Sequence, residues 1–179
     1  VNASIGFDNV RHADGTSSYA QVVDQMADLG VTWVAAAGNE SDRYWVGELT
    51  DDDGNGYLEM SGTELLPVSV GDGYSGASLR WDEAFGEAAM DLDLQIIAED
   101  GSTLLGESQE AQDGAGDPYE SVEVESSDDF VYVAIVDYSG TQGTSSAGVK
   151  AWLYGDWELG DGWATYTEYL WQRHHDGAD

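Results

Sequence analysis

From about residue 41 onward the chain is cut into short runs in which apolar and polar residues alternate. That period constrains the fold more than any other feature. The runs are Glu64–Val70, Ala77–Trp81, Leu92–Ala98, Thr103–Gly106, Glu120–Glu125, Phe130–Val136 and Val149–Tyr154, separated by Gly, Asp and Ser. Residues two apart share one face of a strand, so Ser121-Val122-Glu123-Val124-Glu125 sends Val122 and Val124 to one side and its polar members to the other. Asp100-Gly101 between two runs is a hairpin signal, because both residue types tolerate the positive φ of a tight turn. Seven or eight short strands at this spacing predict an antiparallel β-sandwich or jelly roll over residues 62–159.

The first 45 residues follow a different period. Residues 1–6, Val-Asn-Ala-Ser-Ile-Gly, read as a short strand ending at Gly6. Thr16 to Gly30 reads as a helix that Ser17 or Ser18 caps and Gly30 closes, with Tyr19, Val22, Val23, Met26, Ala27 and Leu29 on one apolar face. Val31-Thr32-Trp33-Val34-Ala35-Ala36-Ala37-Gly38-Asn39 reads as a buried strand that delivers an amide side chain to the C-terminal edge of a sheet. A Gly-Asn pair also suits an ordinary turn. Strand, helix and strand in this order predict a parallel crossover. The fold class is therefore an α/β segment followed by an antiparallel sandwich, mostly β overall.

The opening Val-Asn-x-Ser-x-Gly strand, the helix and the second strand ending Ala-Ala-Gly-Asn resemble the subtilisin-like serine peptidases. The resemblance implies that Asn39 donates its side-chain amide to an oxyanion hole, and that Ser4 and Gly6 lie on the segment bordering the substrate cleft. Further along, Asp91-Leu92-Asp93-Leu94, the Asp-Gly hairpin and Asp117-Pro118-Tyr119-Glu120 resemble jelly-roll modules attached to or inserted into such enzymes. Tyr154–Arg173 would then be a returning connection or a strand packed on the module, with residues 160–179 ending in a polar tail.

A hydrolase of this class needs a serine, a histidine and an aspartate acting together. His12 sits in the polar run Arg-His-Ala-Asp-Gly, and His174 and His175 stand at a polar end. None lies in a histidine motif of the family. Gly143-Thr144-Ser145-Ser146-Ala147-Gly148 is similar to the family's nucleophile segment but lacks its proline, and an alternating run follows it, so a hairpin loop is the preferred reading. The expectation is a piece of a longer enzyme, inactive alone, whose parent cleaves polypeptides.

Thirty-six Asp and Glu stand against five Lys and Arg, a formal net charge of −31. Such a chain repels itself in dilute buffer, and molar salt, with a Debye length of about 3 Å, screens that repulsion. The pattern resembles secreted haloarchaeal proteins and predicts an extracellular or cell-surface, high-salt setting. Nucleic acid is excluded as a partner because phosphate neutralisation needs a basic stripe. No run approaches the roughly 18 apolar residues that cross a membrane. Without cysteine there is neither a disulfide framework nor a thiolate metal site.

Residues 46–61 read as an acidic loop. In Asp51-Asp52-Asp53-Gly54-Asn55-Gly56-Tyr57-Leu58-Glu59, oxygen ligands recur at alternate positions with glycine at the sixth, as in a loop that wraps calcium. Asp51, Asp53 and Asn55 would use side chains and Tyr57 its carbonyl, with Glu59 or Glu64 closing the shell. A solvated acidic turn has the same composition. Asp91 and Asp93, on one face of a strand, are a second candidate pair. Two functions fit: a salt-adapted subtilisin-like endopeptidase piece contributing Asn39 and a sandwich, or a non-catalytic, calcium-dependent adhesion or ligand-binding module.

Overall fold

The computed structural model describes residues 1–4, 18–36, 43–70, 74–138 and 148–160. Asn39 and Gly6, with Ser145 and all three histidines, lie outside the described residues. Two unequal parts are seen. In the smaller, β1 (Asn2–Ala3) pairs in parallel with β2 (Val34–Ala35), and α1 (Ser18–Asp28) connects them. The register places Asn2 opposite Val34 and Ala3 opposite Ala35. Gly30 takes a φ of 77° just beyond the helix, where its amide bonds the Ala27 carbonyl, as a left-handed C-terminal cap requires.

The helix and the second strand correct one expectation. No residue of α1 is buried, and β2 is exposed rather than buried, with Val34 at 56%. The apolar face splits: Ala20, Val23 and Met26 are half-covered, whereas Tyr19, Val22 and Leu29 face solvent. The physical reason lies in the sheet, where among the described residues β1 and β2 pair only with each other. Two strands offer too little surface to cover an amphipathic helix.

The larger part is mostly antiparallel β. Its strands are β3 (Tyr44–Thr50), β4 (Tyr57–Met60), β5 (Leu66–Val70), β6 (Tyr74–Trp81), β7 (Leu92–Ile97), β8 (Leu104–Ser108), β9 (Tyr119–Glu125), β10 (Phe130–Asp137), β11 (Lys150–Gly155) and β12 (Trp157–Leu159). The order β9-β6-β11-β3 makes one layer. In the other, β10 pairs β7 along one edge and both β5 and β4 along the opposite edge, with β8 beyond β7 and β12 beyond β5. The β3–β4 hairpin pairs Leu49 with Met60 and joins the layers, so the ten strands form one nearly closed, barrel-like sheet.

That hairpin occupies the region read from sequence as an acidic loop. Tyr44–Thr50 is buried on both faces over most of its length, so it carries no alternation to betray a strand. The core lies between the layers: Trp45, Leu49, Leu58, Met60, Leu79, Trp81, Leu94, Ile96, Ile135 and Leu153 are at most 1% exposed. Burying side chains of this size stabilises the fold by roughly 1.5–3 kcal/mol each. Along β9, Glu120, Val122 and Val124 point inward and Ser121, Glu123 and Glu125 outward, as the alternation predicts.

Candidate functional site

At the β3–β4 corner the acidic loop is tied down by its own side chains. Asp51 Oδ1 accepts the Gly54 amide at 2.9 Å, and Asp53 Oδ1 accepts the Asn55 amide at 3.1 Å. Gly54 and Gly56, with φ of 74° and 87°, let the backbone reverse between the strands. Asn55 Oδ1 accepts the Tyr57 amide, while its Nδ2 donates to Asp53 Oδ2 at 3.2 Å and to Glu64 Oε1 at 2.8 Å. Glu59 projects from β4, is 8% exposed, and accepts bonds from the Thr50 hydroxyl and the Asp52 amide.

A second turn completes the cluster. Ser61 and Gly62 both have positive φ, and Met60 and Thr63 exchange backbone bonds across them, a two-residue hairpin that brings Glu64 back beside Glu59. Among the described residues, Asp53, Glu59 and Glu64 bring carboxylate oxygens within 4.8 Å of one another. Of the predicted ligands, Asp53 and Glu59 therefore converge, together with Glu64, the alternative closing carboxylate. Asp51, Asn55 and Tyr57 bond within the turn. The donor set is hard oxygen and anionic, which suits calcium or magnesium and not a soft metal. A three-carboxylate set of this kind does not form around Asp91 and Asp93 among the described residues.

Asp91 takes part in a buried polar network, and Asp93 is buried close to it. Asp91 Oδ1 accepts the Gln112 amide at 3.1 Å. Gln112 Nε2 donates to Glu120 Oε1 at 2.7 Å and to the Glu110 carbonyl. Glu120, 1% exposed, also accepts the Glu110 amide at 3.0 Å and the Ser108 hydroxyl. Burial pushes the Glu120 carboxyl up, against the pull of these bonds. Burial, and then the neighbouring carboxylates of Asp91, Glu120 and Glu107, push Asp93 up to about 6.

Ser4 is exposed at the end of β1. Asn39 and Gly6, the other members of the predicted oxyanion and cleft segment, lie outside the described residues. On the outer face of the β3-β11-β6-β9 layer lies a feature the sequence reading missed. A groove of about 220 Å³ runs past Ser78, Tyr119, Ser121, Glu123, Tyr154 and Asp156. Only strand pairing brings these residues together, so no linear motif could have signalled it.

No family model matches the chain, and no curated protein matches it. Among solved structures, the CspB protease of Clostridium perfringens matches with a TM-score of 0.55 and 13% sequence identity, over 88% of this chain and 35% of that one. The chain thus shares its mostly β fold with part of that protease, and spans about a third of its length.

Proposed function

We propose that this chain is part of a secreted, salt-adapted, subtilisin-like serine endopeptidase, in which the barrel-like sheet is a jelly-roll accessory module and residues 1–45 belong to the catalytic α/β domain. One observation carries this reading. A parallel β1–α1–β2 crossover stands with its helix unburied and Tyr19, Val22, Leu29 and Val34 facing solvent, beside a sheet that buries its own core completely. Parallel strands are covered on both faces in stable domains. A pair that meets no further strand among the described residues, under a half-bare helix, supports the reading that neighbouring strands come from elsewhere in a larger protein. The likeness over 35% of a protease chain supports the same reading.

In this proposal Asn39 stabilises the oxyanion of the tetrahedral intermediate, Ser4 and Gly6 border the cleft, and the nucleophile and base lie in the parent outside these residues. A polypeptide is the substrate. Losing one such donor costs about 3 kcal/mol, a drop of roughly 10²–10³-fold in kcat. The test is peptide hydrolysis by the parent carrying Asn39→Ala. A large fall in kcat with little change in KM is expected, and unchanged turnover would overturn the reading. The net charge of −31 supports the salt adaptation, because screening relieves self-repulsion in brine.

We further propose that Asp53, Glu59 and Glu64 hold a structural calcium ion at the β3–β4 corner. Glu59 would anchor it from the strand, with Asp53 and Glu64 closing from the two turns. The ion would neutralise three carboxylates gathered where the layers meet.

A further inference from the structure

We propose that the groove on the outer face of the β9-β6-β11-β3 layer binds a neutral, polyhydroxylated ring: a sugar unit of an oligosaccharide. The register sets Tyr154, Ser78 and Ser121 in one row across three strands, with Tyr119 opposite Arg80 one step along. Both tyrosines are half-buried, so part of each ring reaches the groove. Tyr44 backs Tyr154 with ring centroids 4.6 Å apart, which fixes the ring's position in advance. A rigid aromatic plane of this kind takes the apolar C–H face of a sugar at little entropic cost.

Hydrogen-bonding groups of both kinds surround the rings. Asp156 lines one end, and Arg43 Nη1 holds its Oδ1 at 2.8 Å. Ser121 and Glu123 are exposed at the other end. Gly76 lies opposite Glu123 and adds no side chain of its own to the floor, over which the Glu123 stem passes. Hydroxyl groups both donate and accept, so a polyol satisfies such a mixed rim. An anion would meet Glu123 and Asp156 in a chain of net charge −31. A cation would compete with Arg43 for Asp156. The lining is more apolar than polar, which suits the C–H face of a sugar ring resting on the tyrosines while its hydroxyls reach the polar rim.

The inference does not rest on the peptidase reading, and its test needs no turnover. The chain is titrated with cellotriose, maltotriose and chitotriose, with tyrosine-ring NMR signals as the readout. At least one trisaccharide is expected to shift the Tyr119 and Tyr154 signals, with a dissociation constant in the millimolar range. Ser121→Tyr fills the groove from an exposed strand position and should weaken that binding at least about tenfold, with the thermal melt unchanged. Tyr119→Ser provides a second variant and should do the same. Absence of shifts with all three sugars, equal binding by both variants, or shifts seen with lysinamide but with no sugar would each overturn the proposal.

Discussion

Gln112 donates its side-chain amide to Glu120 Oε1 at 2.7 Å, and both side chains are almost wholly buried. Gln112 comes from the connection between β8 and β9, and Glu120 from the inward face of β9. The bond thus clips that connection to the open edge between the layers, and the Asp91 bond to the Gln112 backbone clips it to the start of β7. Removing Gln112 takes one bond from a buried carboxylate that the Glu110 amide and the Ser108 hydroxyl still hold. Gln112→Ala should therefore destabilise the protein by about 1–3 kcal/mol. For a chain of this size that is a fall of roughly 2–4 °C in Tm per kcal/mol. A thermal melt checks it, and an unchanged Tm would mean that the connection is not held there.

Asp93 gives a pH dependence of definite sign. Its carboxyl is pushed from 3.8 up to about 6 in the folded protein, by burial first and then by Asp91, Glu120 and Glu107. A raised folded pKa favours the protonated form. The stability it contributes is fully present below pH 3.8 and is lost as pH rises through about 6. Asp93→Asn keeps the shape and removes the charge. The variant should melt higher than the parent at pH 8 and equal to it below pH 4, so the difference between the two melts should open across the window from about 4 to 6. A difference independent of pH would show that charge is not the cause.

The hairpin at Asp100 titrates in the opposite direction. Thr103 donates its hydroxyl and its amide to the Asp100 carboxylate, and Ser102 adds its amide and hydroxyl. These bonds, the Thr103 hydroxyl foremost, hold the carboxyl well below the usual range. Its contribution is therefore complete above 3.8 and fades only as the pH falls below that value. Asp100→Ala should lower Tm equally at pH 8 and pH 5, and by less at pH 3.

These two carboxylates mark what was legible in the sequence. Asp100-Gly101 announced its turn because a short side chain bonding the amides two and three residues on is a local event. Strands β6, β7, β9, β10 and β11 were legible for the same reason, since alternation is written in consecutive residues. Strand β3 was not: Tyr44, Trp45 and Val46 are all buried, Gly47 follows, and the period vanishes. The exposure of α1 was illegible as well. The helix itself was read from its period, but whether another layer covers a face depends on neighbours that the helix does not encode. At the candidate cation site, Asp53 and Glu59 were visible in one run, while their meeting with Glu64 depends on the Ser61-Gly62 turn. The groove is legible only after β11, β6 and β9 have paired.

Calcium should act through the corner and nowhere else. If Asp53, Glu59 and Glu64 bind one ion, calcium at millimolar concentration raises Tm, and a chelator reverses the rise, because a ligand selective for the folded state stabilises by mass action. Glu64→Gln should abolish most of the calcium-dependent shift while leaving the metal-free Tm nearly unchanged, since Glu64 is only half-buried. Glu59 is the wrong residue for this comparison, because its carboxylate also accepts the Thr50 and Asp52 bonds that close the hairpin. A calcium shift of the same size in Glu64→Gln would place the ion elsewhere.

The last prediction concerns the seam where β11 turns into β12. A Cβ at Gly155 would lie 2.1 Å from two atoms of the Trp157 ring and 2.2 Å from a third, so the indole rests directly on the glycine backbone. Trp157 is 2% exposed and belongs to the core between the layers. Its strand is held through pairing with β5, where Trp157 faces Val70. Gly155→Ala therefore drives the ring out of place or bends β12 away from β5. Overpacking of this kind costs about 1–3 kcal/mol. Gly76→Ala, on the neighbouring strand, is the control: its Cβ would meet the Glu123 Cγ at 3.5 Å, an ordinary contact. The two substitutions add the same methyl group to the same sheet. Tryptophan fluorescence and the thermal melt should change in Gly155→Ala and stay close to the parent in Gly76→Ala. Equal effects would mean that the loss of glycine from a strand, and not the indole above it, sets the cost.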